Sequence, residues 1–287
     1  MDDDQKAKLR TAVRKAIDRF PPEVRYRSLN AWNGLELAER LLDIDREIAS
    51  FRALTAQEEA AAALFAALKR KKYPGSDRLN LREHPHKVAL WPFLDAVKHK
   101  LAKDLDQMNL KFVVDPDAPS VELKIRLSEF GVTLPGMPDA AIMPVHPLDL
   151  LHSHNGAAYM FEAEINEIAS ARGATAIDRH VRTLANQRNR LLYATEQALP
   201  ASKATLRDIE HRRDQVVLVL VLTIAILQTS VHQKFAVQCL HGFLKIIGKG
   251  RDLDELSEPD SSDAILLTRV PHGDVEQAER QKEEDEQ

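Results

Sequence analysis

The residues best suited to chemistry lie in one polar stretch, GATAIDRHVRTLANQRNRLLYATEQALP (173–200). Arg188 and Asn189 are followed, after three residues, by Tyr193. An arginine, a small polar group and a proton-bearing side chain in that order suit phosphate handling. The guanidinium can bind a phosphate and stabilise its developing charge, while the acid/base group moves a proton. On a helix Asn189 and Tyr193 share a face, and Arg188 lies about 140° round from Tyr193, so only its long side chain can reach the same pocket. The competing reading makes Arg188, Asn189 and Arg190 a solvated face and Leu191, Leu192 and Tyr193 ordinary core.

The histidines are the second group. His84 and His86 flank Pro85 near a helix start, after Arg78 and Arg82 and just before Lys87. His152 and His154 lie in PLDLLHSHNG, with His146 upstream and Glu162 and Glu164 downstream. A His-x-His loop near two carboxylates has the outline of a divalent-metal site. No cysteine ligand and no HExxH accompany it, so surface loop histidines are expected, with no metal and no cofactor. Asp139 with Glu162-x-Glu164 has the outline of a metal-dependent nuclease core, but Ala163 or Ile165 stands where that core needs lysine. The chain has no Walker loop, GxGxxG or GxSxG, which leaves nucleotide hydrolysis, dinucleotide chemistry and serine hydrolysis without support.

The elements that must position these groups are mostly helical. Residues 5–20 and 29–54 have helical periodicity, broken by Pro21-Pro22, with Leu35, Leu41, Leu42, Ile48 and Phe51 near one face. Thr55 with Glu58 three residues later predicts a capping box opening a helix to Tyr73, and makes Glu58 and Glu59 first-turn acids favoured by the helix dipole. A helix over about 86–106 turns Trp91, Leu94, Val97, Leu101 and Leu105 inward. From Leu110 short β-branched or alternating segments (LKFVVD, VELKIRL, FGVTLP, AYMFEAEI) predict three or four strands within 110–165. Helices return over 166–199 and 203–248. The apolar run VVLVLVLTIAIL has 12 residues, against roughly 20 needed to cross a bilayer. It predicts a central helix with Val216, Val217, Leu220, Ile224 and Leu227 in the core, and no stable membrane insertion.

The expected organisation is an N-terminal helical half (1–109), a β-rich insertion (110–165), a C-terminal helical half (166–250) and an acidic tail (251–287). That tail holds 13 Asp/Glu against 4 Lys/Arg, so the remaining body, with 36 Lys/Arg against 31 Asp/Glu, is mildly basic. Such a body can meet nucleic acid with the tail competing for the same surface, and a solvated, mobile tail is the plainer expectation. Within it Ala264–Val270 could dock as one short element. A single cysteine, Cys239, and a charged N-terminus predict a reducing cytoplasm and no leader segment.

Three segments in order carry a resemblance: EEAAAALFAALK with Glu58-Glu59, REHPHK with His86 and Lys87, and QRNRLLYATEQALP before an apolar helix. Their succession resembles the AbiV-like abortive-infection group of the HEPN superfamily, over about 35–105 and 166–230. The resemblance implies a HEPN-like helical bundle, mainly α, and a bacterial antiviral or toxin-type protein that acts on RNA as a metal-independent endoribonuclease and homodimer. Arg188 and Asn189 match the family motif, and Tyr193 stands where its histidine belongs. Tyrosine, with a reference pKa near 10, is a poorer base at neutral pH. The Gly-Lys expected after the Glu pair is absent, and the β insertion lies outside a minimal bundle. Arg188, Asn189 and Tyr193 are thus the candidate catalytic residues, and Arg182, Arg190, His86 and Lys87 the candidate substrate-binding ones. The alternative is a non-catalytic sensor or adaptor that binds a phage protein or nucleotide through the insertion.

Overall fold

Prolines and side-chain caps decide where the helices begin. In this computed structural model, which describes residues 3–104, 110–115, 120–126, 134–136, 140–143, 146–154, 157–171, 177–194, 199–250 and 265–267, α1 (Asp3–Ile17) is followed by α2 (Pro22–Leu41). Pro22 opens α2, where its missing N–H would have no partner in any case. α3 (Arg46–Arg70) is capped by Asp45, whose carboxylate accepts the Ile48 N–H at 2.8 Å. α3 therefore runs unbroken through Thr55, whose hydroxyl donates to the Phe51 carbonyl at 2.8 Å. The expected helix start at Thr55 is wrong: Thr55 and Glu58 lie inside a long helix, far from the dipole that was to favour Glu58 and Glu59.

Small residues let α2 and α3 pack closely. Ala31, Gly34, Leu35 and Ala38 are buried against Ala49, Ala53, Ala56 and Ala60, and a Cβ at Gly34 would lie 3.1 Å from that of Ala56. α4 (His84–Asp104) follows a short turn at Ser76–Arg78. After the insertion come α5 (Glu162–Ala171), α6 (Ile177–Leu192), α7 (Leu206–Leu227) and α8 (Lys234–Ile246). Thr205 and Asp208 form a reciprocal capping box at the start of α7. α7 is the central helix: Val216, Val217, Leu220 and Ile224 are buried, and Leu227 is half-buried. Among the described residues no helix is long and apolar enough to cross a membrane.

The chain is mainly α-helical with a small β-rich insertion, as its periodicity predicts. β1 (Leu110–Val114), β2 (Val121–Arg126) and β3 (Ala141–Ile142) form one antiparallel sheet in that order. β4 (Leu150–His154) pairs antiparallel with β5 (Ala157–Ala158) and parallel with β6 (Ile265–Leu267). AYMFEAEI is strand only at its first residue, Ala158, and α5 begins at Glu162. Two glutamines fasten the insertion to the bundle. Gln228 exchanges two amide hydrogen bonds with the Val121 backbone, and buried Gln233 bridges the Leu148 N–H and the Ala225 carbonyl.

Residues 130–133 of FGVTLP, Asp139, and the tail apart from 265–267 lie outside the described residues. β6 falls within the tail segment expected to dock.

Candidate functional site

Glu58 is the centre of the site. It sits in the middle of α3 with its side chain only 5% exposed, yet three cationic or protonatable groups surround one of its oxygens. Glu58 Oε2 is 2.6 Å from His84 Nδ1, 3.2 Å from Lys87 Nζ and 3.6 Å from Arg188 Nη1. A buried carboxylate is costly unless it is paired, and these contacts supply the pairing. Lys87 comes from the first turns of α4, one turn beyond His84, and is 8% exposed. Arg188 comes from α6, is 28% exposed, and also lies 5.8 Å from the centre of the Phe51 ring.

The short contact settles the imidazole's tautomer. At 2.6 Å His84 Nδ1–H donates to Glu58, so Arg188 Nη1, 3.3 Å from the same nitrogen, is an electrostatic neighbour and not a donor to it. In the neutral imidazole Nε2 then carries the lone pair, and among the described residues nothing hydrogen-bonds to it. With the His84 side chain 42% exposed, a carboxylate-held histidine beside an arginine is arranged as a general base next to an anion binder.

A pocket of about 200 Å³ opens beside Glu58 and Arg188, walled by α3, α4, α6 and α7. Arg212 of α7 lines it and donates to Gln57, which in turn donates to Gln215 at 2.6 Å. Burial pulls the Arg212 pKa below its usual value, with Asp208 opposing. Pro92, inside α4, offers no N–H to the Val88 carbonyl four residues back, and both residues line the pocket. Asp95 and His211 also line it and are unpaired among the described residues, and the buried Trp91 Nε1 has no partner either. A second hollow of about 200 Å³ shares Trp91, Asp95, His211 and Gln215, so the two form one groove along α4 and α7.

The proposed motif does not converge. Arg188 turns into the pocket, while Asn189 is exposed and Tyr193, one residue past the end of α6, is 66% exposed. Asn189 and Tyr193 do share a face, joined by a 3.0 Å backbone hydrogen bond, but it is an outer face. Arg182 and Arg190 are exposed on α6. Lys87 belongs to the Glu58 cluster. His86 points elsewhere: it is buried, its Nδ1 accepts from the Asn80 N–H at 3.2 Å, and its Nε2 faces Glu83 at 3.0 Å. Sequence reasoning missed His211 and Arg212, and it singled out His84 and Glu58 without giving either a role in the site. A carboxylate in the middle of an alanine-rich buried helix was the available signal. Among the described residues no group of three or more His, Cys, Asp or Glu side chains is placed to hold a metal ion.

Two buried histidines make the fold acid-sensitive. Burial, chiefly, holds the pKa of His86 below the ordinary value, with Lys249 adding to the shift and Glu83 opposing it. Burial does the same for His241; the Arg78 and Lys245 charges add, and a hydrogen bond to the Pro74 carbonyl opposes. Unfolded histidines take up protons near pH 6.5, above the folded values. The stabilisation is therefore full above about pH 6.5 and is lost as pH falls through the folded values. Thermal melts are expected to show Tm falling on acidification from about pH 6.5, less steeply in His241→Gln. An acid limb identical in the variant contradicts this.

No family model matches the chain, and neither a curated protein nor a solved structure matches it.

Proposed function

We infer that the chain is a HEPN-like, AbiV-like protein of antiviral or toxin type whose Glu58 pocket cleaves RNA without a metal. The observation that carries this reading is the imidazole of His84, held by buried Glu58 beside Arg188. The histidine that the family motif would place at Tyr193 is supplied from α4 instead. In the reaction His84 Nε2 takes the proton of a ribose 2′-hydroxyl, and the 2′-oxygen attacks the adjacent phosphorus. Arg188 and Arg212 bind the non-bridging oxygens as their negative charge grows. The bond from phosphorus to the 5′-oxygen breaks, and His211, on the α7 wall of the pocket beside Glu58 and Arg188, protonates the leaving oxygen. The products are a 2′,3′-cyclic phosphate and a 5′-hydroxyl. Glu58 orients His84 and stabilises its imidazolium, and Lys87 fixes Glu58. Exposed Arg182 and Arg190 supply further phosphate contacts along the strand.

Total RNA incubated with the purified protein tests this reading through two variants. Arg188→Ala is expected to reduce cleavage by about 10²-fold or more, through lost charge stabilisation. Tyr193→His is expected to leave the rate within about twofold of the native protein, because an exposed side chain outside the pocket contributes nothing to the reaction. A rate increase in Tyr193→His would move the chemistry back to the sequence motif. RNA left intact by the native protein would favour the adaptor reading.

A further inference from the structure

A second concavity, of about 540 Å³, opens where α2, the end of α3, the Ser76–Arg78 turn, the start of α4 and the segment after α8 meet. Its wall carries Arg27, Lys69, Arg78, Arg82 and Lys249 against two carboxylates, Asp77 and Glu83. None of the five cations is in an ion pair among the described residues. Glu23, whose charge is felt by Arg27, is bridged at 2.6 Å by Arg70. Arg27, Lys69 and Arg78 are half-buried along their stems, while their charged ends make exposed hydrogen bonds at the rim of the hollow.

The wall is also built to hold its shape. Lys69 Nζ donates to the Asp77 carbonyl and Arg78 Nη1 to the Lys249 carbonyl, each at 2.9 Å, and Arg27 Nη1 donates to the Glu23 carbonyl at 3.0 Å. Glu83, one of the two carboxylates, is engaged within the wall by Asn80 Nδ2 at 2.7 Å and by His86 Nε2 at 3.0 Å. Each of the three half-buried cations keeps donors to spare.

We propose that this concavity binds a compact, multiply phosphorylated small molecule, independently of whether the Glu58 pocket cleaves RNA. Its volume falls in the range of small-molecule sites. No Phe, Tyr or Trp lines it, and the one imidazole, His86, is buried with both ring nitrogens engaged, so it lacks the stacking platform on which single-stranded nucleic acid is held. Five cations around one hollow instead match several phosphates close together.

Calorimetric titration of the full-length protein with inorganic tripolyphosphate at low salt tests this. Saturable one-to-one binding is expected, weakening as salt rises. Arg82→Glu/Lys249→Glu is expected to weaken it about tenfold or more with the melting temperature unchanged, since both side chains are exposed. Arg188→Ala should bind as the native protein does. The proposal is overturned by the absence of saturable binding, or by binding that the double charge reversal leaves intact. Loss of binding in Arg188→Ala would also overturn it, by placing the anion in the Glu58 pocket. So would a single-stranded RNA whose affinity depends on Arg82 and Lys249 more strongly than that of tripolyphosphate, which would make the concavity part of an RNA surface.

Discussion

His84→Ala is expected to lower the rate of RNA cleavage by about 10²–10⁴-fold, the usual contribution of a positioned general base. The same change should barely alter stability. The His84 side chain is 42% exposed, and Glu58 keeps Lys87 and Arg188 as partners when the imidazole is gone. Rate and melting temperature therefore separate in this variant. The pH–rate profile should lose its ascending limb, because no group remains that must shed a proton before it can accept one. A merely structural role for His84 would show the reverse pattern, a lowered Tm with the limb retained. Cleavage within about twofold of native would remove His84 from the reaction.

Glu58→Leu is expected to have the largest effect on stability. Lys87 Nζ, 8% exposed, and Arg188, 28% exposed, would be left near each other without a carboxylate. Breaking a buried pair by removing one partner costs about 3–5 kcal/mol, and at this chain length that lowers Tm by roughly 10 °C. Glu58→Leu/Lys87→Met should recover much of the loss, because the stranded ammonium is removed as well. Thermal denaturation of the two variants decides it: a single variant that melts like the native protein would mean that Lys87 and Arg188 find water or other partners. Activity should be lost in both, since neither restores the carboxylate that orients His84.

These effects depend on side chains far apart in the sequence, which explains why only part of the site was legible there. Arg188 stood out because an arginine at the start of a short polar motif is visible locally. Its partners were not: His84 is 26 residues from Glu58 and 104 from Arg188. Tyr193 looked catalytic because four-residue spacing puts it on one face with Asn189, but that face is turned outward. Thr55-x-x-Glu58 has the pattern of a helix start, and it misled because Asp45 caps the same helix ten residues earlier. Once Glu58 is in the helix middle, its burial requires partners, and the pocket follows.

Elements with a long, strong period were read more easily. The unbroken apolar run of α7 could only be a central helix, and the β-branched stretches from Leu110 marked the insertion. AYMFEAEI alternates like a strand but supplies the buried Phe161 and the acidic first turn of α5, where Tyr159 donates to Glu164 at 2.8 Å. Tertiary packing decided that segment.

The most direct test of RNA cleavage in the Glu58 pocket uses a defined oligonucleotide containing one ribonucleotide step, incubated with native protein in EDTA. Cleavage at that step with a 2′,3′-cyclic phosphate end is expected, absent when the 2′-hydroxyl is replaced by hydrogen and absent in His84→Ala. Cleavage that survives removal of the 2′-hydroxyl, or that requires an added divalent metal, would contradict the proposed chemistry.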